Sequence, residues 1–195
     1  MDFDGAKDYI LHRLKAELNP ALYYHNIEHS LDVHQAVCRL NVLEGINGNE
    51  KLILETAALF HDAGMVIQYD NHEISSVLIA RKALPGFGYP DYAIDEIARL
   101  IMVTKLPQCP TGLSEKIICD ADLDYLGRDD YFINAFKLRV EWQINNIKTT
   151  SLMEWFEIQT QFLSKHSYFT ASAMGMRNDK KQRNLKEISQ LLINC

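Results

Sequence analysis

The amino-acid sequence predicts an all-α protein organised as a single domain. Apolar residues recur every three to four positions over most of the chain, which is the spacing that places them on one face of an α-helix. No alternating run of apolar and polar residues reaches the length of a convincing strand, and no internal repeat is visible. With 195 residues, 47% of them hydrophobic, the chain is long enough to bury a core and too apolar to be disordered.

Prolines, glycines and capping residues predict where the helices of the first half begin and end. A first amphipathic helix stops at Asn19-Pro20, and a second covers about 27–43. Asn49 is predicted to cap a third helix that carries His61-Asp62 and stops just beyond them. Because apolar positions surround most of this third helix, we expect it to be central and buried. A fourth helix is predicted at roughly 71–84.

The second half is predicted to be helical as well. Pro90 is placed for the first turn of a fifth helix, and a loop at 105–112 leads into a sixth. Asp129 or Asp130 is expected to start the next helix, and Ser151 with Glu154 has the spacing of a capping box. A long basic amphipathic helix then reaches Leu192.

Composition limits the kinds of partner and location. A net charge of −6 disfavours nucleic acid as a partner, since proteins that bind it usually present a basic face. No apolar run approaches the roughly 20 residues that span a bilayer, and the acidic N-terminus does not resemble a secretion signal. We therefore expect a cytoplasmic protein with no membrane partner. Its four cysteines are expected to be reduced, with Cys38 and Cys119 in the core and Cys195 at a free end.

Two histidines and two aspartates, far apart in the sequence, are candidate metal ligands: His29, His61, Asp62 and Asp122. Imidazole nitrogen and carboxylate oxygen suit zinc, manganese, iron or magnesium. The absence of a thiolate from this set argues against a closed structural zinc site. Open sites of this kind keep water among their ligands, which makes them suited to catalysis.

The segments around these residues resemble those of a known superfamily. Tyr23–Val33, Phe60-His61-Asp62 and Cys119–Asp124, in this order and spacing, resemble the HD-domain superfamily of metal-dependent phosphohydrolases. Its small bacterial members share the segments YHN-x-x-H, FHD, NxE-x-S and DADL. The resemblance extends from about Tyr23 to Leu191. The first segment is also similar to the opening motif of cyclic-nucleotide phosphodiesterases, which share the fold.

The resemblance implies an HD-domain helical bundle forming a single domain over 1–195. Its metal-site core would cover about 23–126, and C-terminal helices would cover about 129–193. It also implies one or two divalent metal ions as cofactor. His and Asp ligands accept manganese, magnesium, iron, cobalt, nickel or zinc, so the sequence leaves the identity of the ion open.

The resemblance assigns His29, His61, Asp62 and Asp122 as metal ligands, with Asp62 able to bridge two ions. Two ions about 3.5–4 Å apart can polarise a phosphoryl oxygen and generate a metal-bound hydroxide for in-line attack. Asp120 and Asp122 point in different directions on a helix, and periodicity alone does not decide between them. Asp122 matches the superfamily position, which leaves Asp120 as a partner that orients a ligand.

His25 matches the histidine that protonates the leaving oxygen in the phosphodiesterases. It precedes His29 by one helical turn, so the two would share a face if the helix has begun there. An imidazole titrates near neutral pH, which suits a general acid. The alternative is that His25 is a cap or makes an orienting hydrogen bond.

Several other residues have two interpretations each. His72-Glu73 matches a segment that supplies a ligand or an orienting carboxylate in some relatives, but is equally an ordinary acidic helix start. Thr104-Lys105 would contact a substrate phosphate or lie exposed in a loop. His12 and His34 are taken as structural or surface residues, and His166 has no assigned role. The basic residues of the last helix would form a solvated face or contact phosphates or another subunit: Arg177, Lys180, Lys181, Arg183 and Lys186.

The expected function is hydrolysis of a phosphate ester, with a small nucleotide as the favoured substrate and the oligomeric state open between a monomer and a homo-oligomer. One alternative is a nucleotide-sensing module with weak turnover, and another is a di-iron oxygenase. A third is a zinc protease, because His25–His29 satisfies H-x-x-E-H with Glu28 as the base. That pattern leaves His61-Asp62 and Asp122 unexplained.

Overall fold

The structure, a computed structural model, describes residues 1–193, and within them it is all-α with no β-strand, as predicted. The helices are α1 (Phe3–Glu17), α2 (Ile27–Leu43), α3 (Gly48–Phe60), α4 (His72–Ala83), α5 (Asp91–Val103), α6 (Leu113–Asp122), α7 (Tyr131–Ile144), α8 (Leu152–Lys165) and α9 (Ala171–Ile193). Short 3₁₀ turns cover Ala63–Val66, Leu84–Phe87 and Asp124–Gly127. No helix within these residues combines the length and apolar content needed to cross a membrane.

Most predicted helix boundaries are confirmed to within a few residues, but the start and end of α3 differ. Asn47, rather than Asn49, occupies the cap position, since α3 begins at Gly48. The helix ends at Phe60, so His61 and Asp62 follow it instead of lying within it. The turn Ala63–Val66 then redirects the chain. Pro90 likewise lies at the cap of α5 and not inside its first turn.

Contacts along the chain divide it into two compact units. The first consists of Met1–Asn19 and His25–Asp122, and contains α1 to α6. Every residue of its helix α3 from 53 to 60 is buried, and α3 packs against α1, α2, α5 and α6. The prediction of a central buried third helix is confirmed within this unit.

Gly64 allows a close approach between two elements of the first unit. Its N–H donates a 2.7 Å hydrogen bond to Ser76 Oγ of α4. A Cβ at this position would lie 2.0 Å from His72 O and 2.7 Å from Ser76 N, which are backbone atoms. Only glycine fits there without moving α4, and the contact places the start of α4 beside Asp62.

The second unit consists of Pro20–Tyr24 and the chain from Leu123 onward, with α7, α8 and α9. Its core contains large buried side chains, among them Trp155, Tyr131 and Leu163. The predicted capping box at the start of α8 is present, and Asp130 is the cap residue of α7. The single-domain organisation and its inner boundaries at 126 and 129 stay a prediction.

The basic residues of α9 are used differently from the solvated face that the sequence suggests. Arg177 forms a two-pronged ion pair with Asp124, at 2.7 and 3.0 Å. Lys181 is buried, and its ammonium donates to the carbonyl oxygen of His166. Lys180 pairs with the exposed Asp129 at 2.8 Å, so three of the five cations make polar contacts within the second unit itself.

The cysteine predictions are confirmed in part. Cys38, Cys109 and Cys119 are free thiols, and Cys119 is buried as expected. Cys38 is only half-buried, on α2, because its sulfur faces polar side chains. Cys195 lies outside the described residues.

Candidate metal centre

The four candidate ligands converge within the first unit. His29 Nε2 lies 3.5 Å from both Asp62 Oδ2 and Asp122 Oδ1. His61 Nε2 lies 3.2 Å from Asp62 Oδ2 and 3.5 Å from Asp122 Oδ1. Ligand atoms of His29, His61 and Asp122 all lie within 4.8 Å of one another, close enough to share one ion.

Helix ends bring these side chains together. Asn26 caps α2 by accepting hydrogen bonds from the N–H groups of Glu28 and His29, which fixes His29 in the first turn. His61 and Asp62 follow the last residue of α3, and Asp122 is the last residue of α6. The centre is thus built where three helices begin or end.

The backbone determines which nitrogen of His61 faces the carboxylates. Its Nδ1 lies 2.8 Å from the carbonyl oxygen of Ala58. A carbonyl oxygen can only accept, so Nδ1 carries the proton and donates it. In the neutral ring Nε2 then presents its lone pair to the cluster, as metal-binding histidines generally do.

Two buried polar atoms of the cluster lack hydrogen-bond partners among the described residues. They are His61 Nε2 and Asp62 Oδ2, which lie 3.2 Å apart without hydrogen-bond alignment. Burying such atoms unpaired costs free energy, so native proteins normally satisfy them. A divalent cation satisfies both at once, and the nitrogen and oxygen donors present fit such an ion.

The carboxyl groups are oriented by different neighbours. Asp62 presents Oδ2 to His29 and His61, while its Oδ1 lies 3.1 Å from His72 Nε2. Asp122 presents Oδ1 to the histidines and accepts a 3.0 Å hydrogen bond on Oδ2 from Gln108. Nothing in the sequence pattern marks Gln108, which reaches Asp122 only through the folding of the 105–112 loop.

His72 extends the cluster from the first residue of α4. Its Nδ1 donates to the carbonyl oxygen of Tyr69 at 2.8 Å, which turns Nε2 toward Asp62. Glu73 is buried, with Oε1 at 3.6 Å from His72 Nε2 and Oε2 unpartnered among the described residues. His72 and Glu73 therefore begin α4 and also lie beside the candidate metal centre.

Neighbouring groups of opposite charge shift the pKa values of the side chains in this cluster. Burial opposes a charge on His61, but Asp62 and Asp122 outweigh it and raise the pKa of His61 well above its usual range. Burial likewise opposes ionisation of Asp62. The neighbouring His61 nonetheless lowers the pKa of Asp62 well below its usual value. For His72, Asp62 outweighs burial and raises the pKa to about 9. A bound cation would take over the role of these protons.

His25 lies at the edge of the cluster, although not for the reason that the spacing suggests. It precedes the cap residue Asn26, so it is outside α2 and shares no helix face with His29. Its ring centroid is nevertheless 6.0 Å from those of both His29 and His72. The Tyr69 ring lies nearly perpendicular to that of His25, with centroids 5.7 Å apart.

The remaining candidates also belong to the first unit. Thr104 is buried and donates its hydroxyl to Ile101 O, and exposed Lys105 donates to Asn71 Oδ1 at 2.7 Å. Asp120 is buried two residues before Asp122. Glu28, the base of the zinc-protease alternative, is exposed, while the acids that face His29 belong to other segments.

Comparison with known proteins identifies the family. The family model "HD domain" matches residues 26–123, which contain all four candidate ligands. The chain belongs to the HD domain family. The HD dipeptide is His61-Asp62, and His25 lies one residue before the matched range.

Two solved structures share the fold of this HD protein across nearly the whole chain, and a further relative matches about half of it in sequence. An uncharacterized protein of Clostridium beijerinckii is 34% identical over 97 residues, 48% of this chain and 61% of that relative's length. A predicted HD superfamily hydrolase from an uncultured Thermotogales bacterium superposes with a TM-score of 0.65 at 18% identity, covering 98% of this chain and 91% of its own. Bacillus subtilis YpgQ, crystallised in complex with ADP, superposes with a TM-score of 0.70 at 18% identity, covering 100% and 97%.

Proposed function

We propose that this HD protein is a metal-dependent phosphohydrolase that cleaves a phosphate ester of a nucleotide. The observation that carries the proposal is the pair of buried, unpartnered atoms His61 Nε2 and Asp62 Oδ2, surrounded by His29 and Asp122. This arrangement is costly for a structural cluster and suited to holding a divalent cation.

The four residues His29, His61, Asp62 and Asp122 would hold the ion. Asp62 directs its two oxygens to different histidines, which is the arrangement that a carboxylate bridging two ions needs. A divalent ion in this centre would supply a Lewis acid for a phosphoryl oxygen and for water. Gln108, by binding Asp122 Oδ2, keeps the other oxygen of that carboxylate facing the centre.

The chain itself offers groups for the substrate. Half-buried His25, beside His29 and His72, would donate a proton to the departing oxygen. Lys105 donates to Asn71, the residue before His72, so its ammonium lies at the start of α4, from where it would attract a phosphate. The fold shared with YpgQ, which was crystallised with ADP, supports a nucleotide as the substrate class.

The test combines metal analysis with a hydrolysis panel. The protein is purified without chelators, its metals are quantified, and nucleoside mono-, di- and triphosphates, cyclic nucleotides and simple phosphate esters are assayed with each candidate ion. We expect phosphate release that disappears with excess chelator and returns with added divalent metal. Asp62→Asn should lower turnover at least about 100-fold, since it removes a ligand charge.

Asp70→Asn is the matched control, because Asp70 is exposed and close in sequence. It should leave turnover unchanged. His25→Ala should keep the metal and lose turnover, which separates a proton donor from a ligand. The proposal is wrong if no ion supports hydrolysis of any phosphate ester. Bound iron without hydrolysis would point to an oxygenase, and nucleotide binding without hydrolysis to a sensing module.

A further inference from the structure

A second cluster of side chains that could hold a metal ion lies in the first unit. It shares no residue with the HD centre, the candidate metal centre formed by His29, His61, Asp62 and Asp122. His34 and Cys38 are four residues apart on α2, so both point to the same side of that helix. Cys38 Sγ lies 3.7 Å from His34 Nε2 and donates a hydrogen bond to Glu55 Oε1 of α3 at 3.3 Å. All three ligand atoms lie within 4.8 Å of one another.

These separations match those around a tetrahedral ion. Zinc binds nitrogen and oxygen at about 2.0–2.2 Å and sulfur at about 2.3 Å, which places neighbouring ligand atoms of a tetrahedron about 3.3–3.8 Å apart. The distances of 3.7 and 3.3 Å from Cys38 Sγ lie in that range. The cluster therefore needs little rearrangement to close around an ion.

The neighbouring side chains restrain the metal donors of this cluster and leave the cluster accessible to an ion from the solvent. The ring of Phe3 stacks on that of His34 with centroids 5.8 Å apart, which limits rotation of the imidazole. Glu55 is 5% exposed, whereas His34 and Cys38 are half-buried at the surface. Lys51 pairs with Glu55 at 3.9 Å, with 48% of its side chain exposed, so it can turn into solvent when a cation enters.

We infer that His34, Cys38 and Glu55 form a second metal site, which binds a thiophilic divalent ion such as zinc and leaves the fourth position to water. Three protein ligands including one thiolate fit zinc or cobalt, and they do not fit magnesium or calcium, which prefer oxygen donors alone. On binding, the Cys38 S–H bond breaks, sulfur bonds to the ion, and one proton passes to the solvent. The HD centre has no thiolate and would bind its ion through nitrogen and oxygen.

Cobalt(II) distinguishes the two sites in the full-length protein. Titration under nitrogen should produce an intense near-ultraviolet sulfur-to-cobalt charge-transfer band that saturates at one ion per chain and is removed by zinc. Cys38→Ser should abolish the band. His34→Ala and Glu55→Gln should each weaken the cobalt affinity at least about tenfold, as expected for loss of a ligand.

Cys109→Ser and Cys119→Ser are the controls, since they remove the other free thiols that the structure describes. Both should keep the band, and so should Asp62→Asn, which disables only the HD centre. Circular dichroism and a melting curve establish that each variant folds. The inference is wrong if the wild-type protein gives no such band at saturating cobalt, or if the band survives in Cys38→Ser. Neither outcome depends on whether the HD centre hydrolyses phosphate esters.

Discussion

At the scale of single residues, hydrogen bonds to the backbone determine which ring nitrogen of His61 and of His72 faces Asp62. His61 and His72 each donate Nδ1–H to the carbonyl oxygen three residues earlier, of Ala58 and Tyr69 respectively. Both rings therefore direct Nε2 toward Asp62. Such preorganisation lowers the cost of ordering ligands when an ion binds.

Gln108 should tune the affinity of the centre through Asp122. In Gln108→Ala the hydrogen bond to Asp122 Oδ2 is lost, and the carboxylate becomes free to rotate away from His29 and His61. We expect metal affinity to fall about 10- to 100-fold, as is typical when a partner that orients a ligand is removed. Isothermal titration with manganese measures the change.

The matched control is Gln35→Ala, which truncates an exposed glutamine of α2. It should bind manganese like the wild-type protein. An unchanged affinity in Gln108→Ala would show that Asp122 is positioned without the amide.

Residue types, together with the resemblance of the surrounding segments to a known family, were sufficient to predict that the four candidate ligands would meet. Gln108 could not be predicted, because a single amide in a loop carries no pattern. The pair His34 and Cys38 was visible as an i, i+4 spacing. Its partner Glu55 becomes apparent only when α3 packs on α2.

At the scale of elements, the centre depends on where helices stop. Periodicity predicted α3 well, because its apolar positions extend around the helix, but placed His61 and Asp62 inside it. In the structure they follow the end of α3, and the turn Ala63–Val66 carries the chain on to α4. Periodicity does not contain this information, because a buried helix and a buried 3₁₀ turn have the same apolar composition.

Gly64→Ala should disturb the metal centre without touching a ligand. The added Cβ would overlap His72 O and Ser76 N, so α4 would have to move away from the turn after Asp62. We expect a loss of about 1–3 kcal/mol in the free energy of unfolding, as for overpacked cores. Metal affinity should fall as well, because His72 moves with α4. Urea unfolding and manganese titration measure the two effects.

Gly86→Ala is the comparison for that variant. No atom lies within 4 Å of the position where its Cβ would be built, and its backbone is not left-handed. It should unfold and bind metal like the wild-type chain. Equal behaviour of the two variants would show that the turn and α4 separate easily.

At the scale of the whole molecule, the all-α class followed from periodicity and is confirmed. A metal-site core over about 23–126 followed by C-terminal helices was implied by the family resemblance and not by periodicity, and contacts in the structure divide the described chain after Asp122. Helical periodicity runs through both units alike, so it contains no signal for the boundary. All four candidate ligands of the HD centre belong to the first unit. The metal should therefore stabilise that unit as a cooperative whole and not only the residues it touches.

Hydrogen exchange should reveal this stabilisation. At a manganese concentration 100 times the dissociation constant, binding adds about 2.7 kcal/mol to the folded state. Amides of α3 that exchange only through unfolding of the first unit should slow by up to about 100-fold. Mass spectrometry of peptic fragments measures the rates, and Asp62→Asn with the same manganese should show no slowing. Protection confined to residues adjoining the ligands would contradict the expected cooperativity.

The order of the ligands along the chain has a consequence for biosynthesis. A ribosome adds about 5–20 residues per second, so Asp122 is polymerised roughly 3–12 seconds after Asp62. During that interval the nascent polypeptide carries three of the four candidate donors and lacks the carboxylate of Asp122. An ion that needs all four donors would therefore be captured late in translation or after release, when the ions then available in the cell would decide which one binds.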